Sequence, residues 1–219
     1  MLSTIDDLIL RYPKLEVCKE SIKMACDIIY MSYLSGGTLF LCGNGGSNSD
    51  CEHIVGELMK DFSTKRSLSN KDKRKIAEQF GPGEYPVNLV DNLQYGIPAI
   101  NLNSHPSLMT AYSNDREGRF GFAQQLFVLG KGEDTLFAIS TSGNSKNVYY
   151  AAQVARSKGM EVISLTGEKE SLLSEISNVC IRVPETETYK IQELHLPVYH
   201  AICLELERRL LNGKEKNNQ

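Results

Sequence analysis

Five short, continuous apolar runs recur along the chain, and segments with helical spacing of apolar residues separate several of them. A run of this kind, bounded by turn residues, is typical of a strand that is buried on both faces of a sheet. Strands that alternate with helices predict a parallel sheet with right-handed crossovers. The predicted strands cover residues 38–42, 97–102, 135–140, 161–166 and 179–183.

The apolar positions before the first predicted strand follow helical spacing, which Pro13 interrupts and Gly36 ends. The polar end of the chain, GKEKNNQ, predicts a flexible tail. We therefore predict a single domain over residues 1–212, with a helical extension at 1–35 and a tail at 213–219. Further helices are predicted at 147–158, at 171–177 and from about 191 to 211.

Residues 63–88 differ from this alternation, because they are basic, then rich in Gly and Pro, and show no apolar strand pattern. One interpretation is a solvated insertion with one short helix. The other is a flap or interface segment close to a functional site. The sequence leaves both interpretations open.

Composition narrows the class of protein. The 219 residues are 41% apolar and 23% charged with a net charge of −3, which argues against nucleic-acid or membrane-surface partners. No apolar run approaches a membrane span of about 20 residues. The start of the chain lacks a signal-type core, so we expect a cytoplasmic protein. The six cysteines form no CxxC pair, which favours free, buried thiols over disulfides or a cysteine metal site.

Two glycine- and serine-rich loops each follow a predicted strand and precede a predicted helix: GNGGS at 43–47 and STSGNS at 140–145. Free N–H groups at a helix start favour an anion, glycine lets the backbone approach it, and hydroxyls add donors. In a parallel sheet, both loops reach the edge where ligands bind. Asn48 stands where a dinucleotide motif has its third glycine, and no P-loop lysine is present. We therefore expect a small phosphorylated ligand and no nucleotide cofactor.

Two pairs of polar side chains form a second candidate site. His53 and Glu57 are four residues apart and share one face of the helix after the first loop. Gln192 and His200 are about 80° apart around an ideal helix, and Pro197 starts or bends the helix between them. Imidazole, carboxylate and amide oxygen suit a divalent metal such as zinc. The same Glu and His also suit a general base and a general acid, and the residues alone leave both roles open.

These motifs together resemble the sugar isomerase (SIS) family, over roughly residues 1 to 210 apart from 63–88. The run ISTSGNS is typical of an SIS phosphosugar domain, and the two polar pairs narrow the resemblance to its heptose-phosphate branch. Tyr189 departs from that branch, in which many members have an aspartate. The matching motifs are GNGGS at 43–47, HxxxE at 53–57, SND at 113–115, ISTSGNS at 139–145, VISLTG at 162–167 and IQELHxxxxH at 191–200.

The resemblance implies a three-layer αβα sandwich with a five-stranded parallel sheet and N-terminal helices. It also implies a homotetramer with sites between subunits, and a zinc ion in each subunit. The residues that it implies for substrate binding are Asn44, Gly45, Gly46, Ser47, Asn114, Asp115, Ser140, Thr141, Ser142, Ser145 and Gln192. Those implied for zinc are His53, Glu57, Gln192 and His200, with Glu57 and His200 also as acid/base residues.

The implied activity is an aldose–ketose isomerisation that converts sedoheptulose 7-phosphate to D-glycero-D-manno-heptose 7-phosphate through an enediol. An isomerase of another ketose phosphate is an alternative, as is an isomerase or lyase of amino-sugar phosphates. A non-catalytic SIS protein that senses a phosphosugar or binds a replication initiator is a further one. Because Glu57 and His200 are both present, an enzyme is favoured. The expected partners are a small phosphorylated sugar and further copies of this chain.

Overall fold

A computed structural model describes residues 3–80 and 84–217 of the chain. In these residues, five parallel strands form one sheet in the order β2-β1-β3-β4-β5. The predicted αβα fold with N-terminal helices is confirmed. The strands are β1 (Leu39–Cys42), β2 (Ala99–Asn101), β3 (Thr135–Ile139), β4 (Glu161–Thr166) and β5 (Val179–Arg182).

Helices cover both faces of the sheet, which explains why its strands read as unbroken apolar runs. Along β3, Phe137 belongs to one buried cluster and Leu136 to the other, because successive side chains of a strand point to opposite faces. The helices are α1 (Thr4–Arg11), α2 (Lys19–Leu34), α3 (Gly46–Met59), α4 (Asn70–Glu78), α5 (Glu84–Asn92), α6 (Pro106–Asp115), α7 (Gly121–Leu129), α8 (Lys146–Ser157), α9 (Leu172–Ile176) and α10 (Thr188–Asn217).

The two layers have different members. Apolar side chains of α1, α2, α3 and α10 pack on one face with Phe137. Those of α7 and α8 pack on the other face with Leu136. Most side chains of α3 and α10 that face the sheet are apolar, and the completely buried His195 of α10 is an exception.

The segment at 63–88 is more helical than expected. It contains α4 and the start of α5, whereas the sequence predicted a single short helix. An antiparallel bridge between Ser67 and Gln94 ties its base to the chain that leads into β2. Residues 81–83 lie outside the described residues. Whether this segment is an insertion or a flap stays a prediction.

The last helix continues to Asn217 and therefore includes part of the predicted tail, whose last two residues lie outside the described chain. Pro197 lies inside this helix. All six cysteines are free, as predicted. Within the described residues, no helix combines the length and apolar character needed to cross a bilayer.

His195 on α10 is completely buried. Burial lowers the pKa of its imidazole from 6.5 to about 4, because the charged form loses its hydration. Between these two values the unfolded chain binds a proton that the folded chain does not bind. The free energy of unfolding therefore falls as the pH drops from 6.5 towards 4, and this loss is absent above 6.5.

We predict that His195→Leu flattens the pH dependence of stability over that range. The slope of the free energy of unfolding against pH should decrease by up to about 1.4 kcal/mol per pH unit, which corresponds to one proton. Urea unfolding of both proteins at several pH values from 4.5 to 7.5 measures this slope. Parallel curves for wild type and variant would contradict the assignment.

Candidate active site

Helices α3 and α10 lie side by side and run in the same direction. At their starts, a Cβ atom added to Gly46 would lie 2.6 Å from Nε2 of Gln192. Seven and eight residues later, the rings of His53 and His200 meet with centroids 5.0 Å apart. The two polar pairs found in the sequence are therefore on facing helices, and three of their four members converge.

His53 is held between two polar groups. Its Nδ1 is 3.0 Å from the hydroxyl of Tyr199 on α10, and its Nε2 is 3.3 Å from Oε1 of Glu57. The other carboxylate oxygen of Glu57 has no hydrogen-bond partner among the described residues, and Nζ of Lys60 is 3.6 Å from it. Glu57 thus has one oxygen beside His53 and one buried oxygen that lies near Lys60 and accepts no hydrogen bond from the described residues.

His200 is placed by ring contacts. The ring of Phe62 lies 5.5 Å from its ring, and the ring of His53 is perpendicular to it. Burial lowers the pKa of His200, and the neighbouring His53 adds to this effect. Its Nε2 is buried and has no hydrogen-bond partner in the described part of the chain. A neutral imidazole with a free ring nitrogen is suited to proton transfer.

Gln192 lies apart from the other three. Eight helical residues separate it from His200, which corresponds to about 12 Å along the axis of α10. Its side chain contacts the start of α3 at Gly46 rather than the region of His53. Within one chain, the structure therefore does not bring Gln192 next to His53, Glu57 and His200.

The donors beside His53 suit a metal in their chemistry. Two ligands at about 2.0–2.2 Å from a tetrahedral zinc are roughly 3.3–3.6 Å apart, and Nε2 of His53 and Oε1 of Glu57 are 3.3 Å apart. Oε2 of Glu57 and Nε2 of His200, which have no hydrogen-bond partner among the described residues, are further ligand atoms of the same type. Across the residues that the structure describes, however, no group of three or more His, Cys, Asp and Glu side chains is arranged as a metal site.

The GNGGS loop connects β1 to α3. Asn44 exchanges two hydrogen bonds, of 2.9 and 2.8 Å, with the side-chain amide of Asn147 at the start of α8. Gly45 has φ +53°, which an L side chain rarely adopts. Ser47 is buried in the first turn of α3. The amide pair therefore joins the first loop to the helix that follows the second loop.

The serine-rich loop connects β3 to α8. The hydroxyls of Ser140 and Ser145 are 3.0 Å apart and bond to each other. Thr141 and Ser142 instead line an open pocket of about 210 Å³. Lys169, from the loop after β4, also lines this pocket. Glu168, Glu170 and Glu185 line it as well, so acidic side chains outnumber the lysine. The hydroxyls, together with the N–H groups at the start of α8, are the groups suited to a phosphate here.

The first turn of α10 closes the pocket from the other side. Ile191 lines it, next to Gln192, and Thr186 and Thr188 add two further hydroxyls. Asn114 and Asp115 are different, because they lie at the exposed end of α6 and hydrogen-bond to each other at 2.9 Å. Within the described chain, no hydrogen bond links them to the other expected site residues.

Sequence analysis did not identify several residues of the site. No motif marked Tyr199 or Phe62 as a neighbour of the two histidines. Lys169 was detectable in principle, because every loop that follows a strand of a parallel sheet ends at the same edge. Asn147 stands next to the serine-rich motif, but its pairing with Asn44 depends on the tertiary fold.

The SIS domain family matches residues 86–167. A phosphoheptose isomerase from Rhodospirillum rubrum is 33% identical over 186 residues, which are 85% of this chain and 84% of that protein. One from Cytophaga hutchinsonii is 37% identical over 194 residues, 88% of this chain and 86% of that protein. The solved phosphoheptose isomerase of Neisseria gonorrhoeae has a TM-score of 0.67 at 28% identity, and the match covers 85% of this chain and 86% of that one.

Fold, loops and relatives together define an enzyme of the sugar-phosphate isomerase class that is built on an SIS domain. Within that class, the chain belongs to the phosphoheptose isomerase family.

The two glycines with positive φ in the loops make a matched pair for mutation. Gly143 has φ +65° and a Cβ there would overlap the side chain of Ser171, whereas a Cβ on Gly45 would meet nothing within 4 Å. Gly45→Ala should cost about 1–3 kcal/mol of stability from backbone strain alone. Gly143→Ala should cost about 1–3 kcal/mol more, because the overlap adds to the strain. Denaturant unfolding of both variants measures the difference, and equal losses would contradict the predicted packing.

Proposed function

We propose that this chain interconverts sedoheptulose 7-phosphate and D-glycero-D-manno-heptose 7-phosphate. The observation that carries the proposal is the convergence of His53, Glu57 and His200 between α3 and α10. The hydroxyls that line a pocket at the same edge of the sheet support a phosphorylated substrate. The phosphoheptose isomerases among its relatives support the seven-carbon sugar.

The reaction needs one proton moved between carbons and one between oxygens. We assign the carbon proton to Glu57, which takes it from C1 of the ketose and returns it to C2 of the enediol. We assign the oxygen protons to His200, which donates to O2 and accepts from O1. The lowered pKa of His200 supports this role, because a neutral imidazole carries both an N–H donor and a lone pair.

Zinc is part of the proposal, with His53, Glu57, Gln192 and His200 as its ligands. When bound, a zinc ion polarises a carbonyl oxygen as a Lewis acid. A carboxylate that ligates a metal is a weaker base, so the two roles proposed for Glu57 compete. The separation of Gln192 from the other three is resolved if one copy of the chain supplies part of the set and a second copy supplies the rest.

We also propose a homotetramer, in which copies of the chain complete the site. Several large apolar side chains of the N-terminal helical region are exposed in the single chain, between 52% and 75%. A contiguous exposed apolar patch marks a contact surface, and these side chains are the candidates for one. They are Leu10, Val17, Met24 and Met31. The free thiols, five of the six of them buried, support a cytoplasmic location.

For the substrate, we assign the phosphate to the serine-rich loop and the sugar to the GNGGS loop. Thr141 and Ser142 reach the pocket directly, and Ser140 and Ser145 brace the loop through their mutual hydrogen bond. In the first loop, Asn44, Gly45, Gly46 and Ser47 remain the expected sugar contacts. Asn114 and Asp115 would have to reach the sugar from another copy or after a movement of α6.

A turnover assay over a panel of ketose phosphates tests the function. We expect sedoheptulose 7-phosphate to be isomerised with the highest kcat/KM of the panel. Protein purified without chelator should contain zinc by elemental analysis, and removal of zinc should reduce turnover. Preference for a different ketose phosphate would replace the proposed substrate, and full activity of metal-free protein would remove zinc from the proposal.

The acid/base assignment predicts the behaviour of two variants. Glu57→Gln and His200→Ala should each lose isomerisation by about 10²-fold or more, while circular dichroism shows a folded protein. Glu52→Gln, on the exposed side of α3, and His105→Ala, at the start of α6, serve as matched controls that keep activity. Turnover close to that of the wild type in either Glu57→Gln or His200→Ala would overturn the assignment.

A further inference from the structure

The chain between the end of α3 and Arg66 wraps around a buried ion pair. Nε of Arg66 lies 2.8 Å from Oε1 of Glu207 on α10, and the two side chains are 0% and 3% exposed. The arginine comes from the segment at 63–88, whose role the sequence left open. The pair therefore joins this segment to the helix that carries His200.

Arg66 also binds the end of α3. Its Nη2 donates to the backbone carbonyl of Glu57 at 2.8 Å, and its Nη1 donates to the carbonyl of Leu58 at 2.7 Å. The last carbonyls of a helix have no partners within the helix, and a cation there also interacts favourably with the helix dipole. The planar guanidinium thus fixes the turn of α3 from which the Glu57 side chain extends.

Glu207 binds the backbone of the loop that follows α3. Its carboxylate accepts hydrogen bonds from the backbone N–H groups of Phe62, Ser63 and Thr64 at 2.9 to 3.1 Å. Held in this way, the loop places the ring of Phe62 against His200. Glu207 therefore controls how Phe62 packs against His200, the residue proposed as the acid.

We propose that Arg66 and Glu207 act as positioning residues that set Glu57 relative to His200 across the two helices. The proposal rests on the proposed function, because it concerns the two residues assigned to proton transfer. Arg66 reaches Glu57 through its backbone, and Glu207 reaches His200 through Phe62. In the described part of the chain, no hydrogen bond or ion pair joins either side chain to the ring of His200 or the carboxylate of Glu57. Their effect is therefore on geometry rather than on proton transfer.

Two conservative variants test this proposal. Glu207→Gln keeps the shape and an acceptor but removes the charge, and Arg66→Lys keeps the charge but cannot reach three acceptors at once. Glu205→Gln is the matched control, since Glu205 is also a buried carboxylate of α10 and is paired with Arg208 and Arg209 away from α3. All three are compared at a temperature at which circular dichroism shows each to be fully folded.

We expect kcat of Glu207→Gln and Arg66→Lys to fall by about tenfold to a hundredfold, because small displacements of reacting groups have effects of this size. KM should change by less than about threefold, since the phosphate pocket lies at the other end of α10. Glu205→Gln should keep the wild-type kcat. If loss of any buried carboxylate charge on α10 lowers activity, Glu205→Gln should lose kcat as well.

The ring signals of the four histidines give a second measurement that does not depend on turnover. In proton–carbon NMR spectra, the signals of His200 and His53 should move in Glu207→Gln and Arg66→Lys, and those of His105 should not. None of these signals should move in Glu205→Gln. If one of the two variants does not fold, the other still decides the proposal.

The outcomes separate the positioning role from the function. If kcat and the His200 signals of folded Glu207→Gln and Arg66→Lys match the wild type, the positioning proposal is overturned. An equal loss of kcat in Glu205→Gln would also overturn it. If the wild type turns over no ketose phosphate, the proposed function fails instead, and the histidine signals alone then decide whether the ion pair positions His200.

Discussion

The contact between α3 and α10 is the constraint on which the candidate site depends. These helices run in the same direction, and each carries part of the polar set, so their relative position decides whether that set converges. Gly46 allows close approach at one end, since a Cβ there would meet Gln192. At the other end, Glu207 binds the loop that leaves α3. With both ends held, the middle of the contact is where His53 meets His200.

The sheet adds the second half of the site. Because all five strands in the described chain are parallel, the loops after β1, β3 and β4 reach one edge. The first turn of α10 reaches the same place, where Ile191 closes the pocket lined by Thr141 and Ser142. A single helix therefore borders the pocket at its start and the histidine pair two turns later. This arrangement is suited to a ligand with a phosphate at one end and a reactive carbon at the other.

The sequence predicted the fold well because its signals are local. Apolar runs and helical spacing found every strand, and the family motifs placed both loops. The amide pair of Asn44 and Asn147, and the contact of Phe62 with His200, join residues more than 100 positions apart, so no local pattern reveals them. The second helix at 84–92 was missed because Gly and Pro near its start indicate a loop.

The buried ion pair of Arg66 and Glu207 contributes little net free energy to the stability of the fold. Removing two charges from water costs several kcal/mol for each ion, and well-packed apolar residues often stabilise a site as well or better. A buried pair supplies hydrogen bonds of fixed direction. Here the arginine satisfies two carbonyls in the last turn of α3, and the carboxylate satisfies three N–H groups of the loop that follows. An apolar pair would leave those five backbone groups without these partners. Charged residues are found at positions 66 and 207 because these backbone groups need hydrogen-bond partners. The attraction between the two charges is not the reason.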